Sequence, residues 1–249
     1  MTARPFRFGS LFSGLGGLDL GLERAGMTCA WQVEIDPFNT RVLRRHWPDI
    51  PKYGDIRDVT GAHLEPVDLV CAGLPCQPHS LAGRRGSSDD ARDLWSELAR
   101  ILRECRPGWL LVENVPGLLT SDDPAAGHPD VPGAYFGRIL SDLAEIGYDA
   151  EWFVLSACTF GFPHARERLF LVAYPHGVHP RQRRRLTLPP DRQTQRHLRL
   201  WPGQPEPVRV AAGLPDRLER NHALGNAVVP QVAEWIGHLI LHAHHTQGA

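Results

Sequence analysis

The sequence predicts an α/β protein built on a doubly wound, mostly parallel sheet with a small irregular lobe. Three observations carry this. Short apolar runs recur through the first 174 residues, helical periodicity fills several gaps between them, and the pattern breaks down after Tyr174. Strands alternating with helices predict parallel βαβ units. A length of 249 residues, 42% of them hydrophobic, suits one large domain with a lobe.

Taken in order, FRFGSLF reads as the first strand, and Phe12 to Gly26 (FSGLGGLDLGLERAG) as its end, a glycine turn and an amphipathic helix closed by Gly26. TCAWQVEI is the second strand, with Glu34 at its close, and a third short strand is expected before Asp55 in YGDI. VDLVCAGL is the fourth, leading into Pro75-Cys76-Gln77-Pro78. Leu94, Trp95, Leu98, Leu102 and Cys105 mark a helix, and WLLVENV is the next strand. Phe136, Ile139, Leu140, Leu143 and Ile146 mark another helix, stopped by Gly147. EWFVLSA and RLFLVAY complete the sheet. A last helix starts at Pro230 with Val232, Ala233, Ile236, Leu239 and Ile240 on one face. The tail HAHHTQGA is expected to fray. The chain divides into 1–174, an α/β catalytic and cofactor-binding domain; 175–210, an Arg/Pro-rich recognition segment; and 211–249, which returns to the first domain.

Charge excludes little. Net charge is −1, with 27 basic and 28 acidic residues, yet nine arginines and two acids lie between His164 and Leu200. The run Arg181 to Arg185 serves a solvated stretch or a phosphate-contacting surface equally well. Five cysteines without C-x-x-C spacing predict neither a disulfide framework nor a zinc site. No apolar run reaches membrane-spanning length and MTARPFRFGS lacks a signal-peptide core, so a cytoplasmic protein with no membrane partner and no metal is expected.

In open doubly wound sheets, ligands bind beyond the carboxyl ends of the strands. Cys76 and Glu113 both fall there. Cys76, between two prolines that stiffen its backbone, reads equally as a small buried hydrophobe or as a nucleophile. Glu113 reads as an ion-paired acid or as a desolvated proton donor with a raised pKa. The glycine turn is not a G-x-G-x-x-G fingerprint, because Asp19 takes the last glycine's place. With Glu34 twenty residues beyond Gly14, and Asp55 after a third strand, it favours a nucleoside cofactor without a pyrophosphate. Arg166 and Arg168 share one side of an extended segment and suit a carbonyl or a phosphate.

The ordered set Phe12-x-Gly14-x-Gly16-Gly17, Glu34, Gly54-Asp55-Ile56, Pro75-Cys76-Gln77-Pro78, Glu113-Asn114-Val115, Arg166-x-Arg168 and Gly225-Asn226-Ala227-Val228 resembles the cytosine-5 DNA methyltransferases of bacterial and phage type. The resemblance implies the Rossmann-like class I fold and S-adenosylmethionine as cofactor. It implies that Cys76 attacks carbon 6 of a cytosine, that Glu113 acts at ring nitrogen 3 and the exocyclic amine, and that Arg166 and Arg168 hold the base carbonyl. Phe12, Gly14, Gly16, Glu34, Ile35, Asp55, Ile56, Pro75 and Asn226 would surround the cofactor. The partner implied is double-stranded DNA with the target cytosine flipped out. A restriction-modification or self-protection role follows, with room for a cognate restriction endonuclease and for a partner subunit.

The sequence departs from the family pattern in two ways. Leu74 and His79 stand where phenylalanines are usual in the cysteine motif. Barely fifty residues separate Tyr174 from Gly225, where the family inserts a larger recognition region. The same chemistry on a tRNA cytosine, or a truncated DNA-binding relative that needs a partner chain, are the alternatives to DNA methylation.

Overall fold

The structure is a computed structural model and describes residues 4–75, 94–123, 131–162, 166–177 and 227–247. Seven strands form one sheet in the order β3-β2-β1-β4-β5-β7-β6: β1 (Arg7–Leu11), β2 (Thr28–Val33), β3 (Lys52–Tyr53), β4 (Leu69–Gly73), β5 (Trp109–Asn114), β6 (Tyr148–Ser156) and β7 (Glu167–Pro175). β1 to β5 are parallel, and β7 runs antiparallel to both β5 and β6. The chain leaves β1 toward β2 and β3 and returns on its other side at β4. That reversal creates the crevice at the carboxyl ends of β1 and β4 where such sheets take ligands.

Both faces of the sheet are covered, which is why the central strands read as nearly continuous apolar runs. α3 (Leu94–Cys105) and α4 (Ala134–Ile146) pack on one face, burying Trp95, Leu98, Ile101, Ile139 and Leu143 against Val70, Val112 and Leu171. α1 (Gly17–Arg24) and α5 (Pro230–Gln247) cover the other, burying Leu22, Val232, Ile236 and Ile240 against Phe8, Leu111 and Phe170. α4 ends as its glycine predicts: Gly147 takes φ 97° and its one N–H is shared between Leu143 O and Ala144 O of the last turn.

α2 (Pro37–His46) is a helix that apolar periodicity does not reveal, because Leu43 is its one fully buried side chain. Its signal is local. Asp36 caps it by accepting from the Asn39 N–H at 2.9 Å, and Pro37 opens the first turn. The tail also differs from expectation. α5 runs on to Gln247 through residues expected to fray, and the His244 ring packs edge-on against Phe6 at 4.9 Å. The recognition segment expected at 175–210 lies outside the described residues from 178 onward, as does 211–226. Among the described residues no helix is long and apolar enough to cross a membrane, and no group of three His, Cys, Asp or Glu side chains could hold a metal.

α5 lies close to α1 because glycines line the seam. A Cβ on Gly21 would come within 2.4 Å of Pro230 O and Ala233 Cβ, and one on Gly17 within 2.4 Å of Val228 O. Beneath α1 sits a buried polar cluster. Asp19 accepts from Ser10 Oγ at 3.0 Å and Gln32 Nε2 at 2.7 Å, while Gln32 Oε1 is buried without a hydrogen-bond partner among the described residues. Burial pushes the Asp19 carboxyl up to about 6, against the hydrogen bonds that favour its ionised form.

Two outcomes follow. Gly21→Val forces the helices apart; overpacking of this kind costs about 1–3 kcal/mol, read as a Tm lower by roughly 3–10 °C. An unchanged Tm would mean that the seam is looser than described. Because the folded-state pKa of Asp19 is raised, its favourable contribution is complete below the unfolded value and is lost as pH rises through about 6. Asp19→Asn, with Gln32 turned so that its Oε1 accepts from the new amide, should therefore gain on the parent as pH rises from about 4 to about 7, by on the order of 2–3 kcal/mol in all, with a constant gap above that. Urea midpoints across that range measure the difference; a gap independent of pH would contradict the assignment.

Candidate active site

The register of the central strands assembles the site. Gly73, the last residue of β4, pairs with Glu113, and Glu113 in turn pairs with Phe170 of β7. Leu74 and Pro75 follow β4 directly, so the chain that continues to Cys76 leaves the sheet beside Glu113. Cys76 itself lies outside the described residues, and so does Asn226.

Glu113 is 6% exposed, and Arg168 Nε stands 2.9 Å from its Oε1. Alternation along β7 puts Arg168 on the face of Phe170, which is why it reaches the acid one strand away. Burial pushes the Glu113 carboxyl up to about 7, and Arg168 and then Arg166 hold it back from rising further. Such a group is half protonated at neutral pH and can both give and accept a proton there. Arg166 precedes β7 and donates from Nη2 to Ala227 O at 2.7 Å. Its Nε is buried without a hydrogen-bond partner among the described residues, so it retains a donor. Glu113, Arg166 and Arg168 are therefore brought together, with Leu155, Val228 and Val232 closing the apolar side of the two arginines.

A second group gathers at the ends of β1 and β2. Phe12 takes φ 52°, a left-handed conformation uncommon outside glycine. Gly14 and Gly16 follow at φ 56° and 80°, and Gly16 N–H closes the turn onto Ser13 O at 2.9 Å. Glu34 braces this turn: its Oε2 accepts from Gly14 N–H at 2.6 Å and its Oε1 from Asp36 N–H at 2.8 Å. Each oxygen keeps a further lone pair for a ligand hydroxyl. Ile35 beside it is 64% exposed and offers an apolar surface. A cleft of about 340 Å³ opens here, bounded by Glu34, Ile35 and Gly54 among others.

After β3 the geometry is less simple than the motif suggests. Asp55 caps a 3₁₀ turn over Ile56–Asp58 and holds the Arg57 guanidinium at 2.7 Å. That hydrogen bond keeps its carboxyl below the ordinary range. A ligand amine at Asp55 would share the acid with Arg57. Ile56 is buried in the core, so its backbone rather than its side chain is what it can offer. Pro75 is exposed at the crevice. Asn114, part of the strand-end motif but not among the candidate site residues, is buried at 2% exposure and bonds both strand exits: its Nδ2 donates to Leu74 O at 3.2 Å and its Oδ1 accepts from Val115 N–H at 2.8 Å. Its signal was a carboxamide ending an otherwise apolar strand.

Comparison with known proteins agrees with this geometry. Residues 6–206 match the family described as C-5 cytosine-specific DNA methylase. Type II methyltransferase M.NlaIV of Neisseria lactamica is 37% identical over 178 residues, covering 68% of this chain and 41% of that protein. Type II methyltransferase M.MspI of Moraxella sp. is 35% identical over 171 residues, covering 68% and 38%. Among solved structures, a candidate DNA modification methyltransferase encoded within an E. coli prophage has a TM-score of 0.56 at 25% identity, covering 68% of this chain and 47% of that one. A DNMT2 variant from Spodoptera frugiperda shares the fold, with a TM-score of 0.59 at 22% identity over 72% of this chain and 53% of that one. The chain spans about two fifths of the length of these two methyltransferase relatives. With the match running across most of its length, the chain belongs to the C-5 cytosine-specific DNA methylase family.

Proposed function

We propose that this chain transfers a methyl group to carbon 5 of cytosine in double-stranded DNA through a covalent bond from Cys76, in a restriction-modification system or in phage self-protection. The observation that carries the reading is the buried Glu113–Arg168 pair, one strand away from the exit of β4 that leads to Cys76. The biological setting is taken from the names of the Type II relatives.

S-adenosylmethionine fits the crevice at β1 to β3: an acid with free lone pairs at Glu34, an exposed apolar face at Ile35, and a tight turn at Phe12, Gly14 and Gly16. Asp55, Ile56, Pro75 and Asn226 complete its surroundings in this reading. When bound, it supplies an electrophilic methyl group. Everything else falls to the protein. A flipped cytosine costs a few kcal/mol of stacking and pairing, and the arginines meet its carbonyl. Cys76 as thiolate adds to carbon 6; nearby cations lower its thiol pKa and raise the thiolate fraction. The electron pair displaced from the 5,6 double bond is drawn onto carbon 5 because Glu113 gives its proton to ring nitrogen 3. After carbon 5 is substituted, its proton passes to solvent water, the carbon–sulfur bond breaks so that Cys76 leaves as thiolate, and ring nitrogen 3 returns its proton to Glu113.

Incubating the purified chain with labelled S-adenosylmethionine and duplex DNA should yield 5-methylcytosine. Cys76→Ser should abolish the product while cofactor binding persists, and Glu113→Gln should lower the rate by about 10²–10⁴-fold. Label in tRNA and none in DNA would overturn the substrate; label in neither would point to a missing partner chain. The pH dependence is a separate check. With Glu113 required in its protonated form and its pKa near 7, kcat/KM should fall as pH rises through that value. Removing the cation in Arg168→Gln favours the protonated acid, so the falling limb should move to higher pH. A limb that stays in place would contradict the role of the pair.

A further inference from the structure

Asn114 stands where the β4–β5 ladder has ended, although its own backbone still pairs with Leu169 of β7. The β4–β5 ladder ends with the pair Gly73 and Glu113. Beyond it the two chains diverge, one toward Pro75 and Cys76, the other into the 3₁₀ turn Pro116–Thr120. The Asn114 carboxamide bridges the gap. Its Nδ2 reaches 3.2 Å across to Leu74 O, and its Oδ1 takes the Val115 N–H at 2.8 Å. Leu74 is itself buried, so its carbonyl depends on a protein partner. Only a side chain with an acceptor and a donor at one tip can serve both bonds, and a carboxamide has them.

We propose that Asn114 is a positioning residue for the methyl-transfer site, fixing the exit of β4 toward Cys76 against the strand end that carries Glu113. This rests on the reading of Cys76 as nucleophile and Glu113 as acid. Leu74 lies two residues before Cys76 in sequence and Asn114 directly follows Glu113, so the bridge ties the end of β4 to the strand end that carries the acid. A misplacement of about 1 Å at such a site costs about 10²-fold in rate. Asn114 acts through other residues and does not itself touch the base.

The test follows the covalent adduct formed with duplex DNA carrying 5-fluorocytosine in place of the target base, in the presence of S-adenosylmethionine. Two variants separate the bonds. Asn114→Asp keeps the acceptor for Val115 N–H but sets an oxygen against Leu74 O, and Asn114→Ser is too short to reach Leu74. In both, the rate of adduct formation should fall about 100-fold, while the final amplitude and the affinity for S-adenosylmethionine stay within about threefold. If adduct forms at the parent rate in a folded variant, the proposal is wrong. If amplitude, cofactor affinity and Tm fall together in both variants, Asn114 merely holds the fold and the proposal is equally overturned. Should one variant fail to fold, the other decides. If the parent chain forms no adduct that Cys76→Ala removes, the underlying reading fails, and the proposal with it.

Discussion

The register of β4, β5 and β7 is the constraint on which the site depends. Three strands from distant parts of the chain place Gly73, Glu113 and Phe170 side by side. A one-residue slip in any of them would turn alternate side chains to the opposite face, and Arg168 would leave Glu113. Slippage is resisted because β5 is buried along its whole length, with apolar neighbours on both faces. The core thus does chemical work at a distance. It holds an acid in a place where water cannot stabilise its charge, and it supplies one guanidinium as the compensating partner. Burial raises the acid to the neutral range and the arginine keeps it from going higher.

The glycine turn at the ends of β1 and β2 depends on a different contact, the close approach of α5 to α1. The last described segment of the chain returns to the helix that begins at the glycine turn, and the glycines on α1 let the backbones nearly touch. The same segment passes Ala227, whose carbonyl takes the Arg166 guanidinium. Arg166 therefore ties the Glu113 side of the site to the segment that begins at Ala227. Under the turn, Asp19 occupies a buried position among Ser10, Gln32 and Cys29, at a cost that its hydrogen bonds only partly offset.

Much of this was legible in the sequence for a physical reason: strands buried on both faces must be largely apolar, as the central strands β1, β4 and β5 are, while the edge strand β6 reads as apolar although Trp152 and Val154 are exposed. Glu113 was legible because a carboxylate at the end of such a run is conspicuous. Its partner was not, since an Arg-x-Arg pair has many explanations and only the antiparallel pairing of β7 brings Arg168 to the acid. α2 escaped periodicity because its packing rests on Leu43 and on a cap at Asp36. The continuation of α5 escaped it because a run of histidines carries no apolar stripe, yet His244 still finds the Phe6 ring. Asp55 was visible as an acid after a strand, but its commitment to Arg57 was not. Asn114 was read as part of a motif, and its two bonds emerge only when the strand exits are seen together.

In the proposed reaction Cys76, which follows the end of β4 in sequence, supplies the sulfur that bonds to cytosine. The chain contains a useful rival. Cys158 is exposed and follows Ala157, which borders the two arginines, whereas Cys29 and Cys71 are buried. Mass mapping of the peptides in a complex trapped on 5-fluorocytosine DNA tests the claim directly. The account predicts one cross-linked peptide, with the fluorinated and methylated base on Cys76. A cross-link on Cys158 would contradict it.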